Sequence, residues 1–282
     1  MRRTSRSYQL NDNVWRMYTS PGVYVRRVTE PVSRAGLHDK IDFLSDGEAG
    51  VVGNFVDAML APVHSESLPR TWLTTPAWTD SFVARLRGHH ALSIAPLSTT
   101  QFEASFNEAC SAAGWAVAAA DSATQRFFDT TVTVPDHQTS YHLSLKASSA
   151  RDLRAGSVHI SKLTEAAWIQ DVRRQADRRD NIVRLFREYQ RSTSAIIMLR
   201  GFRDRDGYSV LYELLEIPTA IFDPVRQLTV EQAQAATIKM PPAPAQAQFS
   251  IRVDRSDAKI TITGIRLDLC TVHGRWGLVR RL

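Results

Sequence analysis

An aspartate and a lysine, Asp129 and Lys146, stand at the outer ends of two short segments whose residue types read as a β-hairpin. The first segment, Arg126 to Val134, is rich in β-branched and aromatic residues, and the second, Tyr141 to Lys146, alternates apolar and polar positions. Between them, Pro135-Asp136-His137-Gln138-Thr139-Ser140 is turn chemistry. Folding the chain back through that turn returns Asp129 and Lys146 to the same end of a sheet. A carboxylate beside an ammonium group at strand ends suits hydrolysis of a phosphodiester. The carboxylate can hold Mg2+, an ion that keeps several waters and binds phosphate oxygens. Such an ion lowers the pKa of a bound water and neutralises charge developing on phosphorus. The lysine can orient that water or stabilise the pentacovalent state.

The surrounding pattern supplies elements to carry these residues. Thr100 as cap and Glu103 as the answering acid of a capping box predict a helix. Phe102, Phe106, Ala109, Cys110 and Ala113 form its apolar face, and Gly114 closes it. Trp115 to Ala120, apolar and short, reads as a strand or a buried connection. The spacing then predicts a long helix from about Ser161 to Gln190, with Leu163, Ala167, Val172, Ile182, Leu185 and Phe186 inward and arginines outward. Ala195–Leu199 and Tyr208–Ile217 read as two strands joined by an Asp204–Gly207 turn. Phe249–Val253, Lys259–Ile262 and Leu269–Val272 read as terminal strands. Upstream, apolar spacing from Glu48 to Leu60 fits a helix that Pro62 ends, within an otherwise irregular stretch. The order gives an α/β fold: a mixed central β-sheet flanked by helices, with additional N-terminal and C-terminal elements.

The hairpin and its neighbours resemble the PD-(D/E)xK nuclease superfamily, and type II restriction endonucleases in particular, from Thr99 to Ile217. Phe128-Asp129 matches the first acidic half-motif and Ser144-Leu145-Lys146 the second, in the family's order of helix, hairpin, helix. The chain departs from the pattern twice. Phenylalanine replaces the proline before Asp129; Pro135-Asp136 spells that dipeptide but falls in the turn. Ser144 stands where the family has Asp or Glu, and a hydroxyl is a poor Mg2+ ligand beside a carboxylate. Some restriction enzymes with serine there recruit a glutamate from the following helix, which points to Glu165; Glu103 on the preceding helix is the next candidate. Glu165 has an ordinary alternative as a first-turn partner of the helix dipole, as Glu103 has in the capping box.

The resemblance therefore implies a Mg2+-dependent endonuclease acting on double-stranded DNA, sequence-specific and homodimeric. Asp129, Glu165 and Glu103 would hold metal, Lys146 would position the attacking water, and Ser144 would support the site. Residues 96–240 would form the nuclease core, 1–95 a DNA-contacting or dimerising region, and 249–282 a β segment packed on the core with a part in DNA recognition. The Pro/Ala/Gln-rich stretch from Met240 to Gln248 reads as the connector. Two alternatives use the same residues: a repair or phage-defence nuclease, and a DNA-binding protein whose nuclease core is inactive.

Composition agrees with a nucleic-acid partner. The 282 residues carry 35 Lys plus Arg against 29 Asp plus Glu, a formal net charge of +6. Arginine, which dominates the cations, suits phosphate and guanine because its fork donates bidentately. Arg151 and Arg154 just after Lys146, Arg173 and Arg174 further on, and Arg252, Arg255 and Lys259 near the C-terminus are the candidate DNA contacts. Interleaved Asp171, Asp177, Asp180 and Glu188 also fit a surface helix laced with ion pairs. Cys110 and Cys270 lack CxxC spacing, and His89-His90 lacks acidic or thiol partners, which argues against a zinc site. No P-loop, Rossmann glycine pattern or GxSxG elbow occurs. No apolar run approaches the ~20 residues of a membrane span. Met-Arg-Arg-Thr-Ser-Arg has no apolar stretch behind it, so a cytoplasmic chain is expected.

Overall fold

The computed structural model describes residues 44–60, 62–66, 68–120, 127–135, 139–149, 156–203, 209–242 and 244–279. The chain divides into two compact units, residues 1–53 and 54–282. Helix α1 (Asp46–Leu60) begins in the first, where the Ser45 hydroxyl donates to the Glu48 carboxylate at 2.7 Å. The second unit carries, in chain order, β1 (Val63–Ser65), α2 (Pro76–Leu92), α3 (Thr99–Ala112), β2 (Ala116–Ala119), β3 (Thr130–Val134), β4 (Thr139–Ser148) and β5 (Ser157–Glu165). Then follow α4 (Gln175–Ser192), β6 (Ala195–Arg203), β7 (Ser209–Pro218), α5 (Val230–Ala233), β8 (Thr237–Met240), β9 (Phe249–Asp254), β10 (Lys259–Arg266) and β11 (Thr271–Val279).

The strands make two sheets, one of seven in the order β1-β11-β7-β6-β4-β3-β2 and one of four in the order β5-β10-β9-β8. Only β4 and β6 pair in parallel, which requires the crossover that β5 and α4 supply; the other pairs of the large sheet are antiparallel. Alternation gives the large sheet two apolar faces. Leu143, Leu145, Ile197 and Leu199 pack with Trp78 and Phe82 of α2 and Phe102 and Phe106 of α3. Ile196, Met198, Leu215 and Ile217 pack with Ile182, Phe186 and Tyr189 of α4 and with Ile160, Ile251 and Ile262 of the small sheet. Phe102 and Phe106 are fully buried, each contributing about 1.5–3 kcal/mol and together fixing α3 over β4.

The hairpin, the helix before it and strands β6, β7, β9 and β10 lie where their patterns put them, while the strand read at Leu269–Val272 begins only at Thr271, after a 3-10 turn (Leu267–Leu269). Gly114 ends α3 as expected, at φ 77° and with Trp115 N–H returning to Cys110 C=O at 3.0 Å. Three readings are corrected. The long helix from Ser161 is instead strand β5, a 3-10 turn (Ala167–Gln170) and then α4. Val158 and Ile160 face in while His159 and Ser161 face out, and β5 pairs with β10, so a strand period underlies residues that also fit a helical stripe. The capping box of α3 is Ser98 with Gln101, one turn-start earlier than Thr100 with Glu103. Finally, α2 lies in the stretch read as irregular, although Thr75 caps it and Pro76 opens it, a recognisable helix start. The C-terminal segment is shared between sheets: β9 and β10 belong to the small one and β11 to the large one.

Candidate active site

β4 outruns its partner. The β3–β4 ladder spans Thr130↔Leu143 to Val134↔Thr139, and Asp129 N–H still bonds Leu143 C=O at 2.9 Å. Beyond that point β3 has ended while β4 continues to Ser148. Leu145 N–H consequently has no strand partner on that edge, and the Asp129 carboxylate takes it, Oδ2 accepting at 2.6 Å. Ser144 Oγ donates to the same oxygen at 3.3 Å, and Lys146 Nζ lies 3.3 Å from it. Three consecutive residues of β4 thus converge on one oxygen. None of the described residues donates to Oδ1. Ser144 is almost wholly buried, whereas the side chains of Asp129 and Lys146 keep 35% and 21% of their exposure, so solvent reaches the pair.

Around this grip the backbone is pinned. Thr193 Oγ1 donates to Phe127 C=O at 2.9 Å, and His142 N–H donates to Ser194 Oγ at 3.0 Å. The Phe128 ring stacks on His142 at 4.4 Å between centroids. Tyr189 of α4 is buried beside Ser144 and Thr193, its ring edge-on to Phe127 at 5.6 Å; burial pushes its hydroxyl pKa up. Tyr189 and Thr193 escaped the sequence reading, because a tyrosine in an apolar helical stripe looks like ordinary core.

Glu103 projects from α3 toward the same place. With Ser98 and Gln101 capping the helix, Glu103 has no capping duty. It is half-buried, and burial first, then the negative charge of Asp129, push its carboxyl above the ordinary range; Lys146 partly offsets this. Asp129, Ser144 and Lys146 are therefore brought together, and Glu103 is close enough for the charges of Asp129 and Lys146 to act on its carboxyl. Glu165 is placed differently: it ends β5 opposite Lys259, its side chain 74% exposed and ion-paired to Lys162 at 2.7 Å. Among the described residues no group of three or more His, Cys, Asp or Glu side chains could hold a metal. Two neighbouring carboxylates suit a hard cation such as Mg2+, which takes one or two protein carboxylates and keeps its waters.

A second charged row crosses the same sheet face two residues along. Ser148, Arg200 and Glu213 are in register on β4, β6 and β7, and Arg275 of β11 lies opposite Glu213. Arg200 is fully buried with Nη1 3.4 Å from Glu213 Oε2, while Arg275 Nε donates to Glu213 Oε1 at 2.9 Å and Arg275 Nη1 to Glu66 at 2.8 Å. Arg200 Nη1 also donates to Ser157 C=O at 3.3 Å, tying β5 to this end of the sheet.

The remaining candidates are scattered. Arg151, Arg154, Asp136 and His137 lie outside the described residues. Arg173 and Arg174 are exposed just before α4, and Arg252 is exposed on β9. Arg255, in the β9–β10 turn, donates to Gln170 C=O at 3.3 Å, and Lys259 pairs with Asp257 at 2.5 Å. His89 and His90 bond Ala95 C=O and the Tyr212 hydroxyl at 2.6 and 2.7 Å, in keeping with a structural role. Cys110 and Cys270 are free thiols. Among the described residues no helix is long and apolar enough to cross a membrane.

The geometry can be set beside known proteins. A family model described as SmaI, type II site-specific deoxyribonuclease, matches residues 69–278, a span holding both sheets' strands from β2 to β10 and all the residues gathered around Asp129. The type II restriction enzyme SmaI of Serratia marcescens is 26% identical over 213 residues, covering 71% of this chain and 79% of that protein. No solved structure matches.

Proposed function

The chain belongs to the SmaI family of type II site-specific deoxyribonucleases, and we propose that it cuts double-stranded DNA at a defined sequence with the help of Mg2+ held by Asp129 and Glu103. The observation that carries this reading is the convergence of Ser144, Leu145 and Lys146 on Asp129 Oδ2, with no described donor on Oδ1 and Glu103 near enough for the charge of Asp129 to act on it. Oδ1 and the Glu103 carboxylate are the oxygens that would hold the ion. When bound, a divalent cation supplies a water of lowered pKa and neutralises charge on the phosphate.

The protein's own groups do the rest. Leu145 N–H and Ser144 Oγ hold the Asp129 carboxylate in its orientation by donating to Oδ2. Lys146 Nζ, restrained by Asp129 yet reachable from solvent, orients the attacking water and stabilises the extra negative charge of the pentacovalent state. Ser144 acts as a donor to Asp129, so the acid missing from the strand is supplied from α3 by Glu103. Glu165, expected from the sequence to fill that role, is the natural comparison. A cytoplasmic homodimer, presenting two such sites to the two strands of a symmetric sequence, completes the reading.

The test is digestion of plasmid DNA by purified protein with and without Mg2+, with the ends mapped. Discrete fragments that require the ion and vanish in Asp129→Asn are expected. Ion-independent cutting, or random ends, would contradict the reading.

A further inference from the structure

Several arginines on and near α4 have their own carboxylates: Arg179 with Asp180 at 2.8 Å, Arg184 with Glu188 at 3.9 Å and Arg226 with Asp223 at 3.0 Å. Where the β9–β10 turn meets the start of α4, the pattern breaks. Arg173, Arg174, Arg178 and Arg255 gather there, and among the described residues none of them forms an ion pair. The nearby acids of the turn are otherwise engaged. Asp254 accepts from Ser256 Oγ at 2.8 Å and from the Ser256 and Asp257 amides, and Asp257 is held by Lys259. Asp171 and Asp177, in the same stretch as the arginines, pair with none of them.

Backbone bonds fix the segments that carry the four cations. Ala166 N–H bonds Ala258 C=O at 2.6 Å, joining the β9–β10 turn to the segment that leads into α4. Arg255 reaches across that junction to Gln170 C=O, and Arg178 sits in the first helical turn with its N–H on Arg174 C=O at 3.2 Å. Arg178 Nε is buried and has no acceptor. Burial and the charge of Arg255 both weaken the hold of Arg178 on its proton, as expected for cations brought together without an anion. The α4 N-cap, Arg174, makes no side-chain cap bond, so the helix also offers amide donors at this place.

We propose that Arg173, Arg174, Arg178 and Arg255 seat a backbone phosphate of the DNA substrate at a point remote from the scissile bond. The inference rests on the DNA-cleaving reading above and deepens it. Guanidinium forks match phosphate oxygens bidentately, and an oxyanion relieves the repulsion between the arginines. The position follows from α4 itself. Gln175 opens the helix and Tyr189, fourteen residues on, lies beside Ser144, so at 1.5 Å per residue the seat is about 20 Å along the axis from the catalytic turn. A contact there fixes register and affinity without reading bases.

The experiment measures binding of a mixed-sequence 30-base-pair duplex without metal at several salt concentrations, for wild type and Arg178→Gln/Arg255→Gln. The double variant should bind about tenfold more weakly on unrelated sequences, with a salt slope shallower by about one to two. Unaltered affinity and slope, in a variant with wild-type circular dichroism and melting, would overturn the seat. Arg255→Glu alone, at an exposed turn position, provides a second variant: it should show the same loss, and wild-type binding by it would equally overturn the proposal. Inorganic phosphate distinguishes the source of the anion: if it raises the melting temperature of wild type but not of the double variant while the DNA slopes coincide, the seat belongs to free phosphate and the DNA assignment falls. Failure of wild type to cut any plasmid would instead sink the functional reading, which the salt slope does not measure.

Discussion

Ser144 donates its hydroxyl to Asp129 Oδ2 across 3.3 Å. The pocket favours a neutral side chain at this position. Ser144 is 1% exposed between Asp129 and Tyr189, where a second carboxylate would be desolvated and repelled at once. A neutral donor avoids both costs. Ser144→Ala should therefore leave the fold intact and reduce single-turnover cleavage about tenfold, the loss of one hydrogen bond to a charged group. A drop as large as that of Asp129→Asn would show Ser144 to be a direct ligand.

Lys146→Ala should lower the cleavage rate by about 10²–10³-fold, the scale for removing one group that stabilises developing charge. Its ammonium is partly exposed, so the melting temperature should move little. Rapid-quench cleavage and a thermal melt on the same preparation separate the two effects. Unimpaired cleavage would remove Lys146 from the site.

The Arg200–Glu213 pair is a matter of stability. Arg200 is fully buried, and Glu213, 5% exposed, faces it at 3.4 Å, so Glu213→Gln takes a carboxylate away from a buried guanidinium. The expected cost is about 3–5 kcal/mol in chemical denaturation. Replacing both, as Arg200→Met with Glu213→Leu, should cost less than the sum of the two single changes, because the two groups act on each other. Additive losses would contradict this reading.

Much of the site could be read from the chain, but its supporting elements could not. Asp129, Ser144 and Lys146 are local to one hairpin, whose β-branched residues and turn chemistry specify their meeting. The second acid depends on packing between elements distant in sequence. Glu103 looked committed to a capping box because Thr100 and Glu103 have the right spacing, yet Ser98 and Gln101 satisfy the same geometry and take the cap. Glu165 looked helical because Leu163, Ala167 and Val172 share a helical stripe; pairing with β10, a contact made across about a hundred residues, decides for strand. The charged row of Arg200, Glu213 and Arg275 needs cross-strand register that no local pattern contains.

Glu103 should make the enzyme's response to pH depend on metal. Its folded-state pKa is raised, by burial and then by Asp129, so its ionisation disfavours the folded state. The stability that its protonated form contributes is present at low pH and is lost as pH rises through the ordinary and then the raised pKa. A cation held by the ionised pair would reverse that loss. Mg2+ should accordingly raise the melting temperature more at pH 8 than at pH 5, and more Mg2+ should shift the acid limb of cleavage to lower pH. Equal stabilisation at both pH values would argue against Glu103 as a ligand.

The most direct measurement is a Mg2+ titration of plasmid cleavage by Glu103→Gln and Glu165→Gln beside wild type. Glu103→Gln should lose at least about a hundredfold in rate and need more Mg2+, while Glu165→Gln, altered at an exposed strand end, should cut as wild type does. Normal cleavage by Glu103→Gln together with loss in Glu165→Gln would contradict the assignment and return the missing acid to β5.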